Sequence, residues 1–158
     1  MFNNAIVRRP CKAMVDGITS ANLGKPDYDN ALKQHDFYIK ALESCNVNVR
    51  VLEALEQFPD SVFVEDTAVM TGKCAIITNP GAASRQGEEV TIKEAAGQFY
   101  QCIKPITAPG TLDGGDVMMV GRRFYVGMSD RTNEDGFNQF QTLLTKLGYQ
   151  AINVPMNE

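Results

Sequence analysis

The sequence predicts an α/β fold built from repeated strand–strand–helix–strand units, and three observations support this. Two apolar runs flank Gly72 within residues 67–78, and a second pair flanks Gly121 within residues 117–126, which is the pattern of a β-hairpin. Each hairpin precedes a segment with helical spacing of apolar residues and then a short apolar run. The hairpins lie about 50 residues apart, a period typical of propellers and arrays of supersecondary units.

The other elements follow from the same patterns. The remaining strands are predicted at short apolar or alternating runs: 5–9, 47–52, 62–64, 104–107 and 150–154. Helices are predicted where apolar residues recur at three- and four-residue steps: 29–45, 88–103 and 132–146. Residues 10–28 are rich in glycine, proline and polar residues, and they predict a long loop of the kind that often covers a site.

The length of 158 residues suits a single domain with its own core. We predict one partial propeller domain over residues 1–158, with about three repeated units. A closed ring needs more units, so we expect the chain to be truncated at its C-terminus. The open edge is then apolar, and self-association, most simply into a homodimer, is an expectation.

Composition excludes several functional classes. The net charge is −4 and the basic residues are scattered, which argues against a nucleic-acid partner. The apolar runs are far shorter than the ~20 residues of a membrane span, so no membrane partner is expected. One histidine and four cysteines without a C-x-x-C pair argue against a metal site. Four reduced thiols in a cytoplasmic protein are the expectation.

The first candidate cluster is acidic and consists of Asp60, Glu65 and Asp66. Glu65 and Asp66 directly follow the apolar run 62–64, where buried carboxylates are costly without a cationic partner. A guanidinium suits them because it is planar, always charged, and binds carboxylates in a fork. The alternative is that these carboxylates pair with the protein's own arginines or cap a loop.

The second candidate is Asp113, which begins the segment Asp113-Gly114-Gly115-Asp116. Two glycines permit a positive φ or a close backbone approach, and both aspartates lie where a strand begins. A functional role for Asp113 and a tight turn held by local hydrogen bonds are both open. For Asp116 the tight turn is the preferred interpretation.

The third candidate is the pair Arg85 and Arg131, which occupy equivalent positions after the two hairpins and before the two helices. Two such arginines could bind one anion, such as the α-carboxylate of an amino acid. The alternative is that each is a surface residue. Carboxylates and arginines together predict a small zwitterionic ligand that also carries a cation.

Several stretches together resemble the dimethylarginine dimethylaminohydrolases, over nearly the whole chain. They are Asp16-Gly17-Ile18-Thr19-Ser20, Leu23-Gly24-Lys25-Pro26-Asp27-Tyr28, Pro59-Asp60-Ser61-Val62-Phe63-Val64-Glu65-Asp66, Ala75-Ile76-Ile77-Thr78-Asn79-Pro80-Gly81-Ala82, Leu112-Asp113-Gly114-Gly115-Asp116 and Arg131-Thr132-Asn133. The resemblance implies the pentein fold, a five-bladed α/β propeller of ββαβ units, of which about three are present here. It also implies hydrolysis of Nω-methylated arginine to citrulline and an amine, without a cofactor, through a covalent thiouronium intermediate on a cysteine.

The resemblance also assigns roles to residues. Asp60, Glu65 and Asp66 would contact the substrate, with Glu65 and Asp66 nearest its guanidinium, and Ile18 would lie in a lid loop. Asp113 would orient the catalytic histidine. Arg85 and Arg131 would hold the α-carboxylate of a guanidino amino acid.

The resemblance places the catalytic histidine and the nucleophilic cysteine beyond Glu158, so we expect this chain alone to be inactive. An arginine deiminase or amidinotransferase relative is an alternative within enzymes. A non-catalytic pentein domain that serves as a binding module is the alternative outside enzymes.

Overall fold

The computed structural model describes residues 3–156, and tertiary contacts group the chain into two compact units. The first unit is Met1–Val64 and the second is Glu65–Glu158. Each unit is described by itself below. The assignment of residues 1–158 to a single domain stays a prediction.

The first unit pairs two parallel strands that are connected through a helix. Its elements are β1 (Asn4–Arg8), a 3₁₀ turn (Lys12–Asp16), α1 (Tyr28–Ser44) and β2 (Asn48–Leu52). Asn4 lies opposite Asn48 in the parallel register, and a parallel pair needs such a crossover. The Asp27 side chain accepts a hydrogen bond from the Asn30 amide at 2.9 Å and so caps α1. The predicted strands and helix of this region are confirmed.

The apolar run 62–64 is not a strand, and this prediction was wrong. The Ser61 amide donates to the Phe58 carbonyl and the Phe63 amide donates to the Asp60 carbonyl, so the chain turns twice here. A 3₁₀ turn over Val64–Thr67 follows. Consecutive turns pair backbone N–H and C=O groups within the segment. These groups are then not available for hydrogen bonds to a neighbouring strand.

The second unit contains two successive ββαβ units. The first comprises β3 (Ala68–Met70), β4 (Ala75–Ile77), α2 (Glu89–Ala96) and β5 (Ile103–Pro105), and the second comprises β6 (Val117–Val120), β7 (Arg123–Met128), α3 (Glu134–Leu147) and β8 (Gln150–Pro155). In each, an antiparallel hairpin is followed by a strand parallel to its second member, in the orders β3-β4-β5 and β6-β7-β8. Both predicted hairpins and the repeat are therefore confirmed.

The core of the second unit is formed by apolar side chains from both ββαβ units. Phe124 is central, since it packs edge-on against Phe140 and against Tyr149. The buried members of this cluster are Val69, Ile76, Ile106, Leu112, Phe124, Val126, Phe137, Phe140, Leu144 and Ala151. Because strands of both repeats contribute to this cluster together with α3, neither repeat encloses a core alone.

The helix boundaries differ from prediction at one place. The helix predicted over 88–103 ends at Ala96, and Gly97 follows it. The Tyr100 amide still bonds to the Ala96 carbonyl, and its hydroxyl donates to the Thr71 carbonyl at 2.8 Å. This turn brings the chain back to the sheet for β5. Across the described residues, no helix combines the length and the apolar character that crossing a bilayer requires.

The expectation of four reduced cysteines was wrong for one pair. Cys74 and Cys102 form a disulfide bond, whereas Cys11 and Cys45 are free. The two bonded residues immediately precede β4 and β5, which are neighbouring parallel strands. The two cysteines lie 28 residues apart along the sequence. The sequence alone did not predict this contact, because only the pairing of the strands brings the two cysteines together.

We predict that Gly136→Ala destabilises the second unit by about 2 kcal/mol or more. A Cβ at this position in α3 would lie 1.9 Å from the Thr111 carbonyl oxygen. The free energy of unfolding, measured by urea denaturation, tests this. Asn138→Ala is the matched control, since Asn138 is exposed in the same helix, and we expect it to change the free energy by less than about 0.5 kcal/mol. Equal stability of the two variants would contradict the prediction.

Candidate active site

Five of the residues selected from the sequence lie in the second unit, on four segments that precede regular elements. Glu65 and Asp66 belong to the 3₁₀ turn before β3, and Arg85 ends the 3₁₀ turn before α2. Asp113 precedes the 3₁₀ turn that leads into β6. Arg131 lies between β7 and α3. Hydrogen bonds and ion pairs link four of these side chains into a cluster.

Arg85 lies at the centre of this cluster and is only 5% exposed. Its Nε donates to the two Glu88 carboxylate oxygens at 3.1 and 3.2 Å, and its Nη2, on the same edge of the guanidinium, donates to Oε2 at 2.7 Å. Its Nη1 donates to Asp66. Burial alone would lower the pKa of Arg85, but the hydrogen bonds and charges of Glu88 and Asp66 outweigh burial and raise it above its ordinary value.

Asp66 is fixed at both of its carboxylate oxygens. Oδ2 accepts from Arg85, and Oδ1 accepts from the Gly115 amide at 3.0 Å. The side chain remains 17% exposed. Because donors hold both of its oxygens, Asp66 is an oriented carboxylate that still contacts solvent.

Gly114 allows this arrangement by a close backbone approach. A Cβ at Gly114 would lie 1.9 Å from the Glu65 carbonyl oxygen, a distance that no side chain permits. The adjacent Gly115 can therefore present its amide to Asp66. Of the two roles that the sequence left open for this pair of glycines, close approach is the one that the structure uses.

Asp113 is 2% exposed and has three kinds of partner. Its Oδ1 accepts from the Gly115 amide at 3.2 Å, and its own amide donates to the Thr132 hydroxyl at 3.1 Å. The Nε of Arg131 lies 3.3 Å from Oδ2. Burial, together with the hydrogen bond and negative charge of Asp66, raises the pKa of Asp113 to about 7 despite the opposing Gly115 and Arg131.

The two arginines occupy equivalent positions but different environments. Arg85 is enclosed between Asp66 and Glu88, whereas the Arg131 side chain is 53% exposed and pairs with Asp113. The interpretation in which the acidic cluster pairs with the protein's own arginines therefore describes Asp66, and the local bond from the Gly115 amide agrees with a tight turn at Asp113. The binding of a substrate α-carboxylate by Arg85 and Arg131 stays a prediction.

Glu65 and Asp116 contribute in different ways. Glu65 is exposed, yet the neighbouring atoms desolvate its carboxyl and, with the charge of Asp66, raise its pKa. Asp116 accepts hydrogen bonds from the Ser129 and Thr132 hydroxyls, both at 2.6 Å. Asp116 thus holds the loop before α3, which agrees with a structural role for this residue.

Asp60 and Ile18 lie in the first unit and contact each other. Asp60 is 7% exposed, and its two oxygens accept from the Ile18 amide at 3.0 and 3.2 Å. The Ile18 side chain is exposed. Asp60 therefore fixes the backbone of this loop at Ile18, and the role of Ile18 in a lid stays a prediction.

Two residues of the cluster were missed by the sequence analysis. Glu88 is 2% exposed and accepts from Nε and Nη2 of Arg85, and Thr132 is 1% exposed and links Asp113 to Asp116. The spacing of three residues between Arg85 and Glu88 was a usable signal, since such residues adjoin on a helical turn. The contact of Thr132 with the two aspartates depends on tertiary structure.

The described part of the chain lacks a group of three or more His, Cys, Asp or Glu side chains arranged to hold a metal. Three of the cysteines in it also differ from an activated nucleophile. Cys74 and Cys102 are bonded, and burial raises the pKa of Cys11, which keeps that thiol protonated. What the cluster around Asp66 does offer is charged side chains, which can bind and orient charged groups.

We predict that Glu88→Gln lowers the free energy of unfolding by about 3 kcal/mol, because it leaves the buried Arg85 with less neutralising charge. Chemical denaturation measures this. Glu94→Gln in the exposed part of α2 is the control, and we expect little change from it. A Glu88→Gln variant as stable as the control would show that the ion pair does not hold this region.

We further predict that Asp113 makes stability fall as pH rises. The pKa of Asp113 is about 7 in the folded protein, whereas it is about 4 in an unfolded chain. The folded state therefore binds this proton more tightly, and the stabilisation is complete below pH ~4 and lost as pH rises through ~7. Asp113→Asn should flatten this decline. Unfolding free energies across that range test it, and an unchanged slope would contradict it.

Comparison with known proteins connects this geometry to a family. A family profile described as N,N dimethylarginine dimethylhydrolase, eukaryotic, matches residues 20–158. The N(G),N(G)-dimethylarginine dimethylaminohydrolase of Pseudomonas aeruginosa is 52% identical over 94% of this chain and 59% of its own length. The enzyme of the same name from Streptomyces coelicolor is 37% identical over 98% of this chain and 60% of its own length.

Solved structures agree with the sequence comparison. The Pseudomonas aeruginosa dimethylarginine dimethylaminohydrolase, in a mutant form complexed with citrulline, superposes with a TM-score of 0.98 at 49% identity, over 100% of this chain and 62% of that one. The N-terminal domain of ArgZ, a cyanobacterial arginine dihydrolase, gives a TM-score of 0.85 at 17% identity, over 98% of this chain and 58% of that one, which establishes a shared fold alone.

This chain spans about three fifths of the length of the curated relatives that it matches. Over that span the likeness covers both compact units and includes the segments that carry Asp66, Arg85 and Asp113. The fold is accordingly the α/β fold of the penteins. The chain belongs to the dimethylarginine dimethylaminohydrolase family.

Proposed function

We propose that the protein containing this chain hydrolyses Nω-methylated arginine to citrulline and methylamine or dimethylamine, and that this chain supplies the half of the site that binds the substrate. The observation that carries the proposal is the Asp66 carboxylate. Its two oxygens are held by Arg85 and Gly115, and its side chain keeps 17% of its exposure. A carboxylate oriented in this way suits a substrate guanidinium.

The remaining residues complete the proposed site by their charge and exposure. Glu65 is exposed beside Asp66 in the sequence and adds a second acceptor for the guanidinium. We assign two arginines to the substrate α-carboxylate. They are the exposed Arg131 and Arg85, which pairs with Asp66. Asp60 and Ile18 form the lid contact, with Asp60 holding the loop. Citrulline, the proposed product, is bound in the structure of a Pseudomonas aeruginosa relative.

The proposed reaction needs a catalytic cysteine and a catalytic histidine. Within this chain, no cysteine or histidine matches those two positions of the family's motif. A cysteine thiolate attacks the guanidinium carbon, and the amine leaves with a proton donated by the histidine. A water molecule, deprotonated by the same histidine, then attacks the thiouronium carbon. The C–S bond breaks, citrulline leaves and the thiolate is restored.

Asp113 has the role of orienting the histidine in this proposal. A buried carboxyl near a histidine fixes the ring position and stabilises the imidazolium that forms during the reaction. The raised pKa of Asp113, about 7 without that partner, falls when an imidazolium lies beside it, because an opposite charge favours the carboxylate.

The proposal includes the architecture of the complete protein. The two ββαβ units of the second unit are proposed to be blades of a five-bladed propeller. The protein is expected to be cytoplasmic and to act without a cofactor. Its proposed ligand is a guanidino amino acid, and a homodimer is the proposed assembly.

We predict that Asp66→Asn, introduced into a protein that continues beyond Glu158 and carries the histidine and cysteine, lowers kcat/KM for dimethylarginine at least about 100-fold. The amide keeps the size of the side chain but removes the charge that orients the cation. Steady-state citrulline formation measures this. Asp130→Asn is the control, since Asp130 is exposed outside the cluster, and it should keep full activity.

We also expect the 158-residue chain alone to form no citrulline from dimethylarginine. Turnover by this chain, or full activity of the longer protein with Asp66→Asn, would contradict the proposed division of the site. Absence of activity in the longer unmodified protein would contradict the proposed reaction itself.

A further inference from the structure

The Cys74–Cys102 disulfide closes a loop that contains Arg85, the central residue of the cluster around Asp66. Cys74 precedes β4 and Cys102 precedes β5, and these strands pair in parallel. Between the two cysteines lie Arg85 and Glu88. The bond therefore ties both ends of the segment that positions the buried guanidinium.

The accessibility of the two cysteines is unequal. Cys74 is fully buried, whereas Cys102 is half-buried at the end of the turn that follows α2. The Ala75 amide also donates to the Cys102 carbonyl at 3.0 Å, which keeps the two chain ends adjacent even without the covalent bond. Cys102, the more exposed residue of the two, is therefore the side of the bond at which we place thiol attack, and the paired strands keep the two cysteines adjacent.

We propose that Cys74 and Cys102 form a redox-modification site whose co-substrate is a dithiol, and that the oxidation state of this site controls the stability and mobility of the segment carrying Arg85 and Glu88. The site is independent of substrate chemistry. Cys45, which is exposed, and Cys11, which is buried in the first unit, are free thiols and take no part in it.

The exchange reaction balances with the dithiol as the two-electron reductant. A thiolate of the dithiol attacks the sulfur of Cys102, the S–S bond breaks, and Cys74 leaves as a thiolate that takes up a proton. The second thiol of the reductant then attacks the mixed disulfide and releases Cys102 as a thiol. The dithiol becomes a cyclic disulfide, and oxidation of the protein by such a disulfide is the reverse.

Reduction is expected to loosen the intervening segment because an open chain has more conformations to lose on folding than a closed loop. A disulfide that closes a loop of this length stabilises the folded state, so its reduction is expected to lower the Tm by roughly 10 °C. The parallel pairing of β4 with β5 persists, so the change is concentrated in the segment between the strands.

The test compares the 158-residue chain oxidised with diamide and reduced with dithiothreitol. Alkylation under denaturing conditions followed by peptide mapping should find Cys74 joined to Cys102 before reduction and four alkylated cysteines afterwards. Thermal melting should give a Tm about 10 °C lower after reduction. Hydrogen exchange of the amides at 79–92 should be faster in the reduced chain.

Two variants separate this pair from the other cysteines. Cys45→Ser should retain the whole response to the reductant, whereas Cys102→Ala should melt at one temperature with and without it. Four alkylated cysteines after diamide treatment would overturn the proposal. Equal Tm and equal exchange at 79–92 in the two oxidation states of the unmodified chain would also overturn it, and neither result bears on the proposed hydrolysis.

Discussion

The buried ion pairs around Arg85 are the interaction on which the candidate site depends. The Arg85 guanidinium lies between Glu88 and Asp66, with almost all of its surface removed from water. A buried cation is tolerated only when carboxylates neutralise it and its donors are satisfied. One carboxylate, Glu88, is buried with it, and the other, Asp66, stays partly exposed. The same ion pairs therefore stabilise the fold and deliver an oriented negative charge to the solvent side.

The close approach at Gly114 connects this charge to the second ββαβ unit. The turn before β6 packs on the Glu65 carbonyl and offers the Gly115 amide to both Asp66 and Asp113. One amide thus holds two carboxylates near each other. Burial, together with the hydrogen bond and the charge of Asp66, raises the pKa of Asp113.

The repeat explains why these groups meet. In both ββαβ units a hairpin is followed by a loop and a helix, and an arginine in that loop pairs with an aspartate near the entrance of a hairpin. The pair at Arg85 is enclosed, whereas the pair at Arg131 is open to solvent. Equivalent backbone positions therefore hold one enclosed and one accessible arginine, which the sequence repeat alone does not distinguish.

The sequence by itself determined the hairpins, the helices, the repeat and the acidic and basic residues of the site, because periodicity and glycine turns are local properties. Tertiary structure decided which charges pair, since the contacts of Asp66 with Arg85 and Gly115 join residues distant in the chain. It also decided that the run 62–64 turns, that Cys74 meets Cys102, and that Glu88 is buried. The physical reason is that burial and the pairing of charges depend on neighbours that only the folded chain brings together.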